Sequence, residues 1–356
     1  MATPVSQAIR ERHEEVLVLA GAATEAVAER TALEDLGVPT PDYHLGVISG
    51  SRGSQMADVM LRLEEILLAE SPDLVLVRGG SNVTLAAALA ASQLDIRVAH
   101  IEAGQRSFHR MGPEETNRLV TDHVARLHLC ASRSAVRHLA SEGIIGSAYW
   151  VGDAMLDARR RVGRIAKERS HILDDLGLVP RRYALAAIER REGFEDQDRV
   201  ETLAAILRQA PERVVLLAQP RLVRKLTSIG DLGPNVLLPN EWPGVLDRHQ
   251  LEENARLIVT DSGDVQRAAY HAGVPCLTLW PETEWVETVE AGWNVVVGLD
   301  AELVLRTWSE FRPPSARPPV FGDGRAGERI ASLLEGESVE SRWDLFASSP
   351  ATAFPA

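Results

Sequence analysis

The stretch "DLVLVRGGSNVTLAAALAASQLDIRVAHIEAG" (residues 73–104) decides the fold. It opens on an apolar run of Val and Leu and turns at a Gly pair. An Ala-rich segment of helical composition follows, then a second apolar run that ends at Glu102. Both apolar runs are continuous rather than alternating, as expected of strands covered on both faces in a parallel βαβ unit. The segment over 82–95 is apolar nearly all round, which predicts a buried helix capped by Ser81 or Asn82.

The same alternation extends in both directions. In the first half, "VLVLAG" (16–21) and "RLHLCAS" (126–132) read as further strands and "QMADVMLRLEEILLAE" (55–70) as a helix. The second half repeats the plan with strands at "YALAAIER" (183–190), "RVVLLAQP" (213–220), "NVLLPN" (235–240), "RLIVTDSG" (256–263) and "VPCLTLWP" (274–281). The chain therefore reads as α/β, with two Rossmann-like doubly wound parallel-sheet domains over 1–157 and 181–335. Between them, 158–180 is a linker whose basic run reads as a solvated helix face, and the Ser-, Ala- and Pro-rich tail over 336–356 is expected to be disordered.

Of 356 residues, 51 are acidic and 38 basic, a formal net charge of −13. Such a field repels phosphate backbones and anionic bilayers, so neither nucleic acid nor membrane is an expected partner. Cys130 and Cys276 stand far apart in apolar runs, which fits buried thiols in a reducing cytoplasm better than a disulfide framework. No apolar stretch is long enough to span a bilayer and the N-terminus lacks a signal-peptide design, so a cytoplasmic location is expected. No HExxH, paired-Cys or clustered His/Asp pattern suggests a metal, and no GxSxG elbow suggests a serine nucleophile.

In open parallel sheets ligands gather beyond the carboxyl ends of the strands, and four such ends carry chemistry. After "LIVT", Asp261, Ser262 and Gly263 open a helix, where free N–H groups and the dipole suit an anion; the alternative is a plain cap. In "HIEAGQRSFHRMGPEETNR" (100–118), Glu114 and Glu115 suit the first turn of a helix begun by Pro113, and Glu114 also stands four residues before Arg118. Glu102 directly follows a strand, beside Gly104, where a carboxylate can work as acid or base. In "AAIERREGFED" (186–196), Arg190 and Arg191 offer forked donors to a diphosphate or form a surface ion-pair cluster. "RGGSN" (78–82) is neither a Walker loop nor a GxGxxG fingerprint, and His109 reads as a loop residue.

Taken in order, "PDLVLVRGGSNVTLAAALAA", "VAHIEAGQRS", "GPEETNRLVTDHVARLHLCAS", "WVGDAMLDA", "LIVTDSGDVQRAAYHAGVPCLTLWPETEWVETVEAGWNVVVG" and "FGDGRAGERIASLL" resemble the non-hydrolysing UDP-N-acetylglucosamine 2-epimerase family over residues 3–334. The resemblance implies a GT-B-like pair of domains facing a cleft that holds a UDP-sugar. It also implies inversion at C2 of the sugar through elimination and re-addition of the nucleotide, with no metal or redox cofactor. On the matching positions it implies Glu102 and Glu114 as catalytic carboxylates, Arg106, Asn117 and Arg118 around them, and Ser262 and Gly263 on the diphosphate. A homodimer is a further implication.

The departures from the family pattern are specific. Gly80 stands where the family has a further catalytic Asp, Glu189 where it has His, Ala268 where it has Glu, and Trp285 where it has Arg. The chain opens on what matches the family's first helix, so a sheet without the first strand and its phosphate loop is expected. These substitutions keep two alternatives in view: a non-catalytic or regulatory homologue that binds a nucleotide sugar, and a hydrolysing 2-epimerase.

Overall fold

The computed structural model describes residues 2–20, 40–46, 50–109, 112–190 and 192–336. Arg191 and the tail over 337–356 lie outside the described residues. The chain divides into two compact units, Met1–Ala158 with Pro319–Ala356, and Arg159–Pro318.

The first unit runs α1 (Ala2–Arg10), β1 (Val18–Leu19), β2 (Tyr43–His44), α2 (Arg52–Glu70), β3 (Leu74–Arg78), α3 (Asn82–Gln93), β4 (Arg97–Ile101), α4 (Pro113–Val124), β5 (Leu127–Cys130), α5 (Arg133–Ser141) and β6 (Ala148–Trp150). Strands β3 to β6 form a parallel sheet in sequential order, while β1 and β2 pair as a separate two-stranded sheet. On one face of the larger sheet, Ala99, Ile101, Leu129 and Val151 pack with Val5 and Ile9 of α1. On the other, Val77 and Val98 pack with Leu63 and Leu67 of α2 and with Ala88, Ala90 and Ala91 of α3. Burying each such Leu contributes roughly 1.5–3 kcal/mol. Ser81 caps α3, its Oγ accepting the Thr84 N–H at 3.1 Å.

The second unit comprises most of α6 (Ala154–Arg169), then α7 (Ile172–Asp175), β7 (Tyr183–Ile188), α8 (Gln197–Arg208), β8 (Arg213–Ala218), α9 (Pro220–Ile229), β9 (Val236–Leu237), α10 (Val245–Asn254), β10 (Leu257–Thr260), α11 (Gly263–Ala272), β11 (Cys276–Thr278), α12 (Val286–Glu290), β12 (Asn294–Val296) and α13 (Ala301–Glu310). Its six strands are parallel in the order β12-β11-β10-β7-β8-β9. Successive strands leave β7 in one direction and β10 in the other, so the order reverses between these two neighbours. In an open α/β sheet that reversal is where two diverging loops leave room for a ligand. Both cysteines are buried and free.

The domain boundaries differ from those expected. The last helix, α14 (Ala326–Leu334), belongs to the first unit, so the second ends near Pro318 rather than at 335. The Gly327 N–H donates to Asp157 at 2.9 Å, and a Cβ at Gly327 would stand 2.8 Å from the Pro4 carbonyl oxygen, a close helix approach that only glycine permits. The segment expected as a linker is largely helical, as its composition suggests: the end of α6 to Arg169, then the short α7. From Arg159 onward it packs in the second unit, where Arg159 pairs with Glu252. Among the described residues, no helix is long and apolar enough to cross a membrane.

Candidate active site

In the first unit, three segments meet at the carboxyl ends of β3 and β4. Glu102 follows β4 with φ +65°, a left-handed conformation that costs a residue with a Cβ of order 1–3 kcal/mol and persists only where the surroundings impose it. Its side chain is about one-tenth exposed, and the Arg78 guanidinium lies 3.4 Å from Oε1. Gly79 leaves the approach open, since even a Cβ there would touch Glu102 Oε2 at 3.4 Å.

Helix α4 supplies the third segment. Pro113 starts it and Glu114 and Glu115 occupy its first turn, as the sequence predicts, but the two carboxylates point to different tasks. Glu114 is 59% exposed, 3.6 Å from Arg118 one turn later, and so is open to a ligand. Glu115 is buried and accepts the backbone N–H groups of Ser107 and Phe108, each at 3.0 Å, pinning the loop that leaves β4. Arg118 fills the space beside Gly80: a Cβ at position 80 would stand 2.8 Å from its Cγ and 2.9 Å from its Nε. Asn117 donates to the Gly80 carbonyl at 3.0 Å and to Asn82 at 2.9 Å, tying the glycine turn to α4.

Arg106 departs from its expected role as a substrate contact. It is 1% exposed, and every guanidinium nitrogen is engaged within the fold. Nε and Nη2 donate to Glu142 at 2.8 and 2.6 Å, Nη2 lies 2.7 Å from Asp122, and Nη1 donates to the Gln105 carbonyl at 2.8 Å. Burial alone would lower its pKa, but the Glu142 and Asp122 carboxylates outweigh that and raise it.

In the second unit, Asp261 sits at the reversal point of the sheet. It is fully buried and accepts the N–H groups of Glu189 at 2.8 Å and Arg190 at 3.1 Å, joining the loop after β7 to the end of β10. Burial pushes its carboxyl up to about 6, against the downward pull of those two N–H groups and of the Arg190 charge. Asp261 is therefore a tie between strand ends rather than a helix cap. Ser262 takes the cap position of α11 without a side-chain cap bond, its own N–H donating to Thr260 Oγ1 at 3.0 Å.

Around this turn Arg190 donates from Nε to the Asp261 carbonyl at 2.8 Å, stacks over Trp280 at 5.0 Å and lies 3.8 Å from Glu284. Gly263 is required sterically, because a Cβ would collide with the Glu284 carboxylate and stand 2.8 Å from the Trp285 indole nitrogen. The Trp285 ring in turn covers the buried Arg267 guanidinium at 3.9 Å. Glu189 faces Arg248 at 2.6 Å, and burial, which alone would lower the Arg248 pKa, is outweighed by Glu252 and Glu189, which raise it. Among the described residues no cluster of His, Cys, Asp and Glu could hold a metal ion.

Sequence reasoning did not single out Asp122, His100, Glu284 or Arg248. Each lies inside a predicted element or loop, and its partners come from segments distant in sequence.

Two parallel-sheet units, each with a cluster of charged side chains beyond its strand ends, give an α/β protein of the GT-B-like class. A sequence profile of the UDP-N-acetylglucosamine 2-epimerase family matches residues 7–335, and the chain belongs to that family. It is 38% identical over 342 residues to a UDP-N-acetylglucosamine 2-epimerase homolog of Methanococcus maripaludis, covering 93% of this chain and 94% of that one. It is 34% identical over 341 residues to UDP-2,3-diacetamido-2,3-dideoxy-D-glucuronate 2-epimerase of Pseudomonas aeruginosa, covering 94% and 95%. The crystal structure of Methanocaldococcus jannaschii UDP-GlcNAc 2-epimerase in complex with UDP-GlcNAc and UDP superposes with a TM-score of 0.86 at 32% identity, covering 94% of this chain and 96% of that one.

Proposed function

We propose that the chain inverts C2 of UDP-N-acetylglucosamine or a related UDP-sugar. A base takes the C2 proton, the C1–O bond breaks with its electron pair going to the departing UDP, and an unsaturated sugar remains. Re-addition of UDP at C1 with a proton delivered to the opposite face of C2 gives the epimer. Glu102 and Glu114 are assigned the acid/base work, with Ser262, Gly263 and Arg190 on the diphosphate; Arg118 orients Glu114.

The observation that carries this reading is Glu102 itself, a carboxylate held in a left-handed backbone at a strand end, beside a glycine that keeps its approach open. Fold and family membership support it, and solved relatives are complexes with UDP-GlcNAc and UDP. The decisive experiment is incubation with UDP-GlcNAc in deuterated water followed by NMR of the C2 position. Deuterium at C2 and a manno product are expected. Free sugar with UDP indicates hydrolysis, and neither exchange nor product refutes the reading for this substrate.

Arg78 favours a second substrate of the same class. Its side chain is 40% exposed at the end of β3, and a guanidinium suits a sugar carboxylate through paired donors. The Pseudomonas relative is named for a glucuronate-type sugar. Running the same NMR assay with that acidic UDP-sugar decides between the two.

A further inference from the structure

The Glu102 turn is gripped from both sides by one buried carboxylate. Asp122 lies on α4, fully buried, with Oδ1 2.6 Å from Nδ1 of His100. Its Oδ2 accepts the Gly104 N–H at 3.1 Å and lies 2.7 Å from the Arg106 guanidinium. It therefore touches the residue two positions before Glu102, the residue two positions after it, and the next arginine along. His100, also fully buried, passes the connection on. The Gly79 carbonyl can only accept, so the ring donates to it through Nε2 at 2.9 Å. Asp122 thereby fixes the Arg78–Gly79 turn as well as the Glu102 turn.

The helix repeat gives this a second consequence. Glu114, Arg118 and Asp122 stand at i, i+4 and i+8, on one face of α4 and about 12 Å from end to end. Anchoring Asp122 under the Glu102 turn thus sets where Glu114 and Arg118 stand along that turn. Burying an anion here is tolerated because three donors, His100, the Gly104 N–H and Arg106, surround it. Burial alone would raise the Asp122 pKa, but His100 and Arg106 hold it below the ordinary carboxylate value.

We propose that Asp122 is a positioning residue, which holds Glu102 and Glu114 in register with one another while touching no substrate. In its consequence for rate this rests on the epimerase reading. Displacing a reacting group by about 1 Å can cost on the order of 100-fold. Asp122→Asn keeps one acceptor for His100 but turns an NH2 toward Gly104 and Arg106.

The test combines turnover with amide hydrogen exchange on the full chain. For Asp122→Asn the expected result is a kcat lowered about 100-fold with KM within threefold, and faster exchange confined to residues 79–80 and 100–105. If that variant does not fold, His100→Asn, which cuts the Gly79 link while leaving Asp122 on Gly104 and Arg106, is expected to speed exchange at 79–80 and lower kcat with KM unchanged. A kcat within twofold of wild type, or exchange raised uniformly across the first unit, overturns the proposal. If wild type binds UDP but turns over no UDP-sugar, the epimerase reading fails by itself. The exchange pattern then decides alone: loss confined to the two turns upholds the positioning role, and a uniform change removes it.

Discussion

Replacing Gly80 with alanine puts one methyl group into space that Arg118 already fills. The new Cβ would stand 2.8 Å from Arg118 Cγ, 2.9 Å from its Nε and 3.0 Å from the Glu114 carbonyl oxygen. Comfortable carbon contacts begin near 3.5 Å, so the arginine must retreat by roughly 0.7 Å or more. It cannot do so freely, because its guanidinium sits 3.4 Å from the buried Glu115 and 3.6 Å from Glu114, and the Glu114 carbonyl is part of the first helical turn. Gly80 itself is not in the left-handed region, so the cost is steric rather than conformational. Overpacking of this kind costs about 1–3 kcal/mol. At about 2–4 °C per kcal/mol for a unit of this size, the melting temperature of the first unit should fall by roughly 2–12 °C. The assay is a thermal and urea unfolding cycle of wild type, Gly80→Ala, Arg118→Ala and the double variant. With the arginine truncated the methyl group has room, so the double variant should be more stable than the sum of the single effects by at least about 0.5 kcal/mol. A Gly80→Ala variant within about 0.3 kcal/mol of wild type and additive with Arg118→Ala would refute the steric argument.

Glu102→Gln should lower kcat roughly 100- to 10,000-fold while UDP affinity by calorimetry stays within twofold; a kcat within fivefold of wild type would remove Glu102 from the acid/base role. Gly104→Ala should destabilise the first unit by about 2–5 kcal/mol in urea titration. Position 104 has φ +76°, and its Cβ would collide with the Ala135 carbonyl, so strain and overpacking combine. The Asp261 carboxyl is raised from 3.8 to about 6 in the fold, so the fold prefers its neutral form. Its contribution is complete below the unfolded value and is lost as pH rises from about 4 to 6, by about 3 kcal/mol. Asp261→Asn cannot ionise, so its urea stability at pH 7 relative to that at pH 4 should exceed the wild-type value by about that amount; an unchanged pH slope would show that Asp261 is not the group responsible.

Much of the fold is legible because its signals are local. Continuous Val and Leu runs separated by helical segments require parallel strands buried on both faces, and Pro113 with two acidic residues after it marks a helix start. Ser81 as a cap and the Glu114–Arg118 pair are equally readable, because caps and i,i+4 partners lie within one turn. The strand-end rule directed attention to the turns after β3, β4, β7 and β10, since it depends on sheet type and not on register.

Other assignments required the tertiary structure. The resemblance implied Arg106 as a substrate contact, yet its partners Asp122, on α4, and Glu142, just after α5, converge on it and make it a buried ion-pair residue. Asp261 read as part of an anion-binding turn or as a cap, but it binds the end of a strand more than 70 residues earlier because β10 lies beside β7. The α14 helix docks in the first unit, where Ala326 and Ile330 pack with Val5 and Ile9 of α1 and Gly327 lets the backbones approach closely. The sequence by itself determined the class of fold, the local starts and caps, and the strand ends where a site would form, because those follow from periodicity and from contacts within one turn. Which carboxylates stay open to solvent and which are consumed in holding the turns together was decided by strand order and helix docking, which bring together charges that no local pattern links.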